Sequence, residues 1–170
     1  GNTGVNNPST ARVEMSNTGV VTLFTGCAEI GQGSTTILAQ IAAEVLCIDP
    51  RSIRVVVGDT KYTTNAGATS ASRQTYISGN AVKIAAENLI KILKKEAAEL
   101  LETSIVSLIA DNGAIIVIDN NNIRIEYSQL AGAIIQKQGT LVADGVFDPE
   151  TVPLDSETGK GAPYATYAFA

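Results

Sequence analysis

The sequence of 170 residues contains no histidine, no tryptophan and two cysteines. The lack of histidine removes the commonest metal ligand and the commonest general base near neutral pH. Cys27 and Cys47 lie too far apart for a CxxC metal site, and two cysteines do not make a disulfide framework. Both have apolar neighbours. We therefore expect two small, buried hydrophobic residues in a reducing compartment.

Long apolar runs and clusters of positive charge are also missing. No stretch approaches the roughly 18 consecutive apolar residues of a membrane span, and no signal peptide is recognisable. The formal net charge is −5, which argues against a surface that follows nucleic-acid phosphates. With 45% hydrophobic and 17% charged residues, the composition is that of a globular domain. We expect a cytoplasmic protein without a nucleic-acid or membrane partner.

Both ends of the sequence differ from ordinary protein termini. The first residue is Gly1, the only methionine is Met15, and residues 164–170 form an apolar, aromatic run typical of a strand. Terminal segments are usually polar and poorly ordered. We therefore expect this chain to be a part of a longer protein.

Apolar periodicity and turn-forming residues predict an α+β domain with mixed strand–helix–strand units and hairpins. Residues 1–10 are rich in turn formers and predict a flexible lead-in. Residues 11–170 are expected to form one domain, with a possible division into subdomains at about 11–102 and 103–170. The predicted strands are 11–15, 20–25, 53–57, 108–110, 115–118, 123–126 and 141–146, and the predicted helices are 34–47, 74–101 and 128–138. A long loop is expected at 149–163.

The first of two loops with candidate chemistry is residues 29–36, Glu-Ile-Gly-Gln-Gly-Ser-Thr-Thr, between a predicted strand and a predicted helix. Gly31 and Gly33 let the backbone approach a ligand closely, and the free N–H groups of a first helical turn favour an anion. Between the two glycines, the amide of Gln32 can both donate and accept hydrogen bonds. The loop is therefore a candidate site for an anionic ligand.

A plainer interpretation of this loop is a glycine-rich turn in which Ser34 or Thr35 caps the following helix. Two familiar phosphate-binding patterns are excluded. The GK[ST] sequence of a P-loop is absent, and Thr36 stands where the dinucleotide-binding fingerprint requires its third glycine. Short glycine patterns match often by accident, so this loop alone does not identify a function.

The second loop, residues 67–75, also leads into a predicted helix. Its hydroxyl groups, followed by an arginine and a glutamine, suit a phosphate or the polar edge of a pterin. In the alternative, Ser70 or Ser72 caps the helix and Arg73 is merely exposed. Gly79, inside the helical pattern, indicates close backbone packing. The candidate ligand contacts of this loop are Thr69, Ser70, Ala71, Ser72, Arg73 and Gln74.

Several short motifs occur in an order that resembles the molybdopterin-binding part of the molybdenum hydroxylases, the family of xanthine dehydrogenase, aldehyde oxidase and carbon monoxide dehydrogenase. The resemblance covers about residues 11–90 and returns at 163–170. Residues 154–163 favour the xanthine dehydrogenase-like branch. The motifs are EIGQGS at 29–34, QIAAE at 40–44, VGDT at 57–60, ATSASRQT at 68–75 and GNAV at 79–82.

This resemblance implies a molybdenum ion held by molybdopterin, with or without a cytosine dinucleotide extension, and it requires no protein ligand to the metal. It implies hydroxylation of a purine, an N-heterocycle or an aldehyde with oxygen from water. Electrons would leave through 2Fe-2S clusters and FAD on partner subunits or domains, and the remainder of the molybdopterin subunit would complete the site. The implied cofactor contacts are Gly31, Gln32 and Gly33 in the first loop and residues 69–74 in the second.

The resemblance also implies that the catalytic glutamate lies outside this chain, which is then inactive alone. None of the local carboxylates, Glu29, Glu44 and Asp59, is assigned as the base. Cys27 is interpreted as a structural thiol. Two alternatives stay open: a stand-alone module that binds a nucleotide or an anionic small molecule, and a structural domain whose loops are only caps and turns.

Overall fold

A computed structural model describes residues 6–70 and 73–162, which form two β-sheets and three α-helices. The mixed helices and strands confirm the predicted α+β class. The strands are β1 (Ser9–Met15), β2 (Val21–Thr25), β3 (Arg54–Val57), β4 (Leu108–Asp111), β5 (Ala114–Val117), β6 (Asn120–Glu126) and β7 (Val142–Phe147). The helices are α1 (Ser34–Leu46), α2 (Gly79–Leu100) and α3 (Tyr127–Gln138).

The larger sheet has the strand order β3-β2-β1-β7. Strand β1 pairs antiparallel with β2 and with β7, whereas β2 and β3 run parallel. Along β1 and β2 buried residues alternate with partly exposed ones, as expected for strands with one face on the core. Helices α1 and α2 pack on that face and on each other. The main hydrophobic core lies between them and the sheet.

The smaller sheet, β4-β5-β6, is antiparallel and packs with α3 against the same core. The start of α3 and the turn between β4 and β5 also hold the C-terminal end of α1. The hydroxyl of Tyr127 donates to the Leu46 carbonyl at 2.8 Å, and the Gly113 N–H donates to the Cys47 carbonyl at 3.1 Å. Burial raises the pKa of Tyr127 above its ordinary value. One continuous buried cluster joins the two sheets, and the division near residue 102 stays a prediction.

Several predicted boundaries shift because of tertiary contacts. The hairpin at 16–19 is confirmed, with the Gly19 N–H donating to the Ser16 carbonyl. Strand β1 begins at Ser9, inside the predicted lead-in, because Ser9 pairs with Phe147 on β7. The buried Ser9 hydroxyl also donates to the Ser78 hydroxyl at 2.9 Å. The N-cap of helix α3 is Glu126, in a capping box with Gln129.

The predicted second helix begins with a π-helical turn, Gln74–Ser78, that continues into α2. Such turns occur frequently at functional sites. The predicted close packing at Gly79 is confirmed, because a Cβ atom there would lie 2.8 Å from Cδ1 of Ile41 on α1. The π-helical turn therefore lies next to the point where α1 and α2 approach each other.

The two cysteines have different environments. Cys27 is buried, as predicted, and its sulfur accepts a hydrogen bond from the Thr25 hydroxyl. Cys47 was also expected to be buried, but it is exposed. It ends α1 in a left-handed conformation with φ of 50°, which turns the residue out of the helix.

Across the described ranges 6–70 and 73–162, no helix is long and apolar enough to cross a bilayer.

Helix α2 packs directly against the backbone of β7 at Gly145. A Cβ atom there would lie 2.1 Å from the Ala81 carbonyl oxygen and 2.4 Å from the Ala85 nitrogen, both in the backbone of α2. We expect Gly145→Ala to lower the free energy of unfolding by about 3 kcal/mol or more, because the helix must move away from the sheet. Urea denaturation measures the change.

Gly132→Ala is the matched control, because this glycine lies within α3 and a Cβ atom there would meet nothing closer than 3.9 Å. We expect that change to stabilise the chain by about 0.5–1 kcal/mol through the backbone entropy of the unfolded state. Equal effects of the two substitutions would contradict the packing described for β7 and α2.

Candidate cofactor-binding site

The two candidate loops leave the larger sheet at the same edge. The first loop follows β2 and the second follows β3, and the two strands are parallel with Thr25 opposite Val57. The Gly58 N–H extends this pairing by donating to the Thr25 carbonyl at 3.3 Å. Ligand sites of sheets with parallel strands and helical connections usually lie outside the carboxyl ends of the strands. The parallel pair therefore brings both loops to the usual position of such a site.

Direct contacts hold the two loops together. The Ala28 N–H donates to the Thr69 hydroxyl oxygen at 2.9 Å. A Cβ atom on Gly26 would lie 2.5 Å from the Thr64 carbonyl oxygen, so only glycine fits there. A cavity of about 340 Å³ opens beside this contact, lined by Gly26 and seven residues of the segment 58–67. The volume is at the lower end of the range for small-molecule sites.

The carboxylate of Glu29 occupies the N-terminus of α1. Its oxygens accept hydrogen bonds from the N–H groups of Gly31, Gly33 and Thr35 at 2.8, 3.0 and 3.0 Å. The helix was expected to be capped by Ser34 or Thr35. Its N-cap residue is Gly33, and the capping oxygens come from Glu29. The N–H groups that were expected to attract an external anion therefore already have an anionic partner.

These hydrogen bonds lower the pKa of Glu29 to about 2, chiefly through the N–H groups of Thr35 and Gly33. A carboxylate with so low a pKa accepts a proton weakly near neutral pH, so Glu29 is unsuited to act as a general base. Sequence reasoning left the role of Glu29 open. The only sequence signal for a capping role was its position just before a glycine-rich helix start.

The side chain of Gln32 folds back into its own loop. Its amide nitrogen donates to the Ala28 carbonyl at 2.8 Å and to the Ser34 hydroxyl at 3.0 Å, and its amide oxygen accepts from the Ile30 N–H at 2.7 Å. Both neighbouring glycines have positive φ and open space at the Cβ position. The surface that this loop offers a ligand is therefore mainly backbone.

Arg73 is 2% exposed and binds backbone rather than solvent. One terminal nitrogen donates to the carbonyls of Ala66 and Ala68, and the other donates to the carbonyls of Asn7 and Pro8. The alternative of a merely exposed Arg73 is therefore wrong. The guanidinium links the second loop to the segment before β1, and it determines the shape of that loop.

The side chain of Gln74 contains two of the three buried polar atoms that lack a partner among the described residues, and the third is Nε of Arg73. The amide nitrogen and oxygen of Gln74 are both buried, and neither has a hydrogen bond in the part of the chain that the structure describes. Buried amides are nearly always hydrogen-bonded, so such a pair needs an explanation.

The Ser70 carbonyl accepts from the Arg73 N–H at 3.2 Å. The predicted contacts Ala71 and Ser72 lie outside the described residues.

The remaining candidate side chains are not at the loop edge or have local partners. Asp59 accepts a hydrogen bond from the Lys61 N–H and organises its own turn. Glu44 is exposed on α1. A wider cavity of about 820 Å³, lined in part by Cys47 and Asp111, lies at the C-terminal end of α1, far from both loops. No group of three or more metal-ligating side chains that could hold an ion occurs within 6–70 and 73–162.

Comparison with known proteins identifies the family of the chain. A family model described as the molybdopterin cofactor-binding domain matches residues 1–170. The chain belongs to this family. The sequence resemblance to the molybdenum hydroxylases is thereby confirmed.

Relatives of this molybdopterin cofactor-binding domain include nicotine 6-hydroxylase large subunit of Paenarthrobacter nicotinovorans, 36% identical over 74% of the chain and 15% of that protein. A putative xanthine dehydrogenase molybdenum-binding subunit of Escherichia coli is 32% identical over 64% of the chain and 15% of that protein. Among solved structures, quinoline 2-oxidoreductase from Pseudomonas putida superposes with a TM-score of 0.74 at 30% identity, over 84% of the chain and 19% of that structure. The domain spans less than a fifth of each of these proteins.

Arg73→Lys tests the role of the buried guanidinium in this domain. An ammonium group has three donors on a flexible stem and cannot reproduce the fork that reaches four carbonyls. We expect a loss of about 2 kcal/mol in the free energy of unfolding, since at least one buried carbonyl loses its partner. Arg54→Lys, on the exposed edge strand β3, is the control and should change stability by less than about 0.5 kcal/mol. Similar losses in both variants would contradict the assigned role.

The lowered pKa of Glu29 predicts a pH dependence of stability. Its folded-state pKa of about 2 lies below the ordinary value of 4.5, so ionised Glu29 stabilises the fold above pH 4.5 and loses that effect as the pH falls towards 2. We expect the stability difference between the unchanged chain and Glu29→Gln to be constant from about pH 5 to 8 and to vanish near pH 2. Urea midpoints across this range measure it. A difference that grows on acidification would be inconsistent with the capping role.

Proposed function

We propose that this chain is the part of a molybdenum hydroxylase subunit that holds molybdopterin between two loops, and that it is inactive without the rest of its subunit. The unpartnered amide of Gln74 is the observation that carries the proposal. A buried donor and acceptor on one side chain are both satisfied by a ligand that presents an acceptor and a donor side by side, as the edge of a pterin does. Family membership supplies the identity of the ligand.

The described residues fit such a cofactor in three ways. Gly31 and Gly33 would bring backbone close to it, since no atoms lie within 4 Å of their Cβ positions. Thr69 and Ser70 would line the opposite side. Arg73 would act through the shape of its loop and through its backbone, because its terminal nitrogens already bind carbonyls. The assignments of all these residues, and of Gln32, Ala71, Ser72 and Gln74, as cofactor contacts stay predictions.

When bound, the molybdenum cofactor supplies the redox chemistry for hydroxylating an electron-poor carbon with oxygen from water. The residues of this chain would bind and orient the cofactor and exclude water from one side of it. Glu29 would not serve as the general base, because its hydrogen bonds lower its pKa to about 2 and keep the carboxylate ionised. The general base is therefore proposed to lie elsewhere in the subunit.

An N-heterocycle is the substrate class that we favour, with a purine as the particular case and an aldehyde as the other possibility. The names of nicotine 6-hydroxylase, xanthine dehydrogenase and quinoline 2-oxidoreductase all refer to nitrogen-containing aromatic rings. We also propose a cytosine dinucleotide form of the cofactor and a cytoplasmic location. The FAD and 2Fe-2S clusters would lie on partner subunits or domains.

The alternative of a stand-alone module for nucleotides or other anions has less support from the geometry. An anion would bind best at the N-terminus of α1, and the Glu29 carboxylate already occupies those N–H groups. The larger part of the relatives' length also lies outside this chain. Measurable phosphate affinity of the isolated chain would favour the alternative.

Gln74→Met is the sharpest test of the proposed function. It replaces the amide with an apolar side chain of similar length. We expect the molybdenum content of the full-length protein to fall about tenfold, the effect of roughly one lost hydrogen bond. The cofactor-free protein should become more stable by about 1 kcal/mol, because two unsatisfied buried groups are removed.

Gln138→Met, at the exposed end of α3, is the matched control and should change neither quantity. Metal analysis and urea denaturation measure the two effects. A Gln74→Met protein with full molybdenum content, or a full-length parent without molybdenum in a molybdenum-replete host, would refute the proposal.

A further inference from the structure

Glu29 is the most heavily bonded side chain in the described part of the site. Besides three backbone N–H groups, its oxygens accept hydrogen bonds from the hydroxyls of Ser34 at 3.1 Å and Thr35 at 3.2 Å. A carboxylate that accepts five hydrogen bonds is firmly oriented, even though Glu29 is exposed to solvent. The hydrogen bonds of the loop therefore fix the position of the Glu29 carboxylate.

The same carboxylate controls the position of Gln32 through Ser34. The Ser34 hydroxyl donates to Glu29 and accepts from the Gln32 amide at 3.0 Å, so the three side chains form one chain of hydrogen bonds. Glu29 also binds the N–H groups of Gly31 and Gly33, on both sides of Gln32. Loss of the carboxylate would release the backbone and the side chain of this loop together.

The charge of Glu29 has a second consequence. The first turn of α1 contains no acidic residue of its own. The partial positive charge of the helix N-terminus is therefore balanced by a residue that lies five positions before the helix. An incoming phosphate would have to displace this carboxylate and would be repelled by it.

We propose that Glu29 is a positioning residue of the cofactor site, which holds the loop 28–35 in its binding conformation and closes the N-terminus of α1 to phosphate. The proposal rests on the cofactor-binding function proposed above. It follows that this loop contacts an uncharged part of the cofactor, and that the phosphate of the cofactor lies away from α1. The carboxylate of Glu29 thus determines which end of the cofactor faces α1.

The test uses the full-length protein loaded with cofactor and compares Glu29→Gln with Glu44→Gln. Glu44 is the matched control, because it is an exposed carboxylate on α1 without a contact to the loop. The first readout is the rate at which molybdenum is lost during dialysis, measured by metal analysis. We expect Glu29→Gln to lose molybdenum about tenfold faster, the effect of one charge-assisted hydrogen bond. The control should match the unchanged protein.

The second readout is the thermal midpoint in inorganic phosphate relative to chloride at equal ionic strength. We expect phosphate to raise the midpoint of Glu29→Gln in proportion to its concentration, and to leave the unchanged protein and Glu44→Gln unaffected. If phosphate raised the thermal midpoint of all three proteins, or of none, Glu29 would not be what keeps phosphate from the N-terminus of α1. This readout does not depend on molybdenum, so it separates a failure of this inference from a failure of the proposed function.

Glu29→Asp covers the case in which Glu29→Gln does not fold. It keeps the charge but shortens the side chain by one methylene group. We expect faster loss of molybdenum and no response to phosphate. A Glu29→Asp protein that retains molybdenum like the unchanged protein would overturn the positioning role.

Discussion

Strands β2 and β3 run parallel, and a parallel pair cannot be joined by a tight turn. The chain must therefore cross over, and α1 makes this connection on the face that carries the core. As a result, both strands end at the same edge of the sheet, and each is followed by a loop that leads into a helix. The meeting of the two loops is a direct consequence of this pairing.

The charged side chains of the loops mainly stabilise the loops themselves. Glu29 accepts hydrogen bonds from N–H groups of the first loop, and Arg73 donates to carbonyls of the second. The two residues have opposite charges and complementary partners, one binding backbone donors and the other backbone acceptors. Loops held in this way need little ordering when a ligand binds, which favours affinity without additional contacts. Among the described residues, the buried amide of Gln74 and Nε of Arg73 have no hydrogen-bond partner.

The ends of α1 are fixed by different parts of the molecule. Its N-terminus is held by Glu29, and its C-terminus is held by Tyr127 at the start of α3 and by Gly113 in the turn between β4 and β5. Residues outside the two loops therefore contribute to the position of the helix that the first loop precedes.

Local sequence patterns determined the α+β class, nearly all strands and helices, the two candidate loops and, through ordered motifs, the family. Apolar periodicity and turn residues act over a few positions, which explains why these features were accessible. Only the tertiary structure decided that Glu29 caps α1 and that Arg73 is buried on carbonyls. It also decided that the Gln74 amide is buried without a partner among residues 6–70 and 73–162, and that Cys47 is exposed. Each of these outcomes depends on a contact or a backbone angle created by the assembled fold, and hydrogen-bond partners such as Pro8 and Arg73 are distant in sequence.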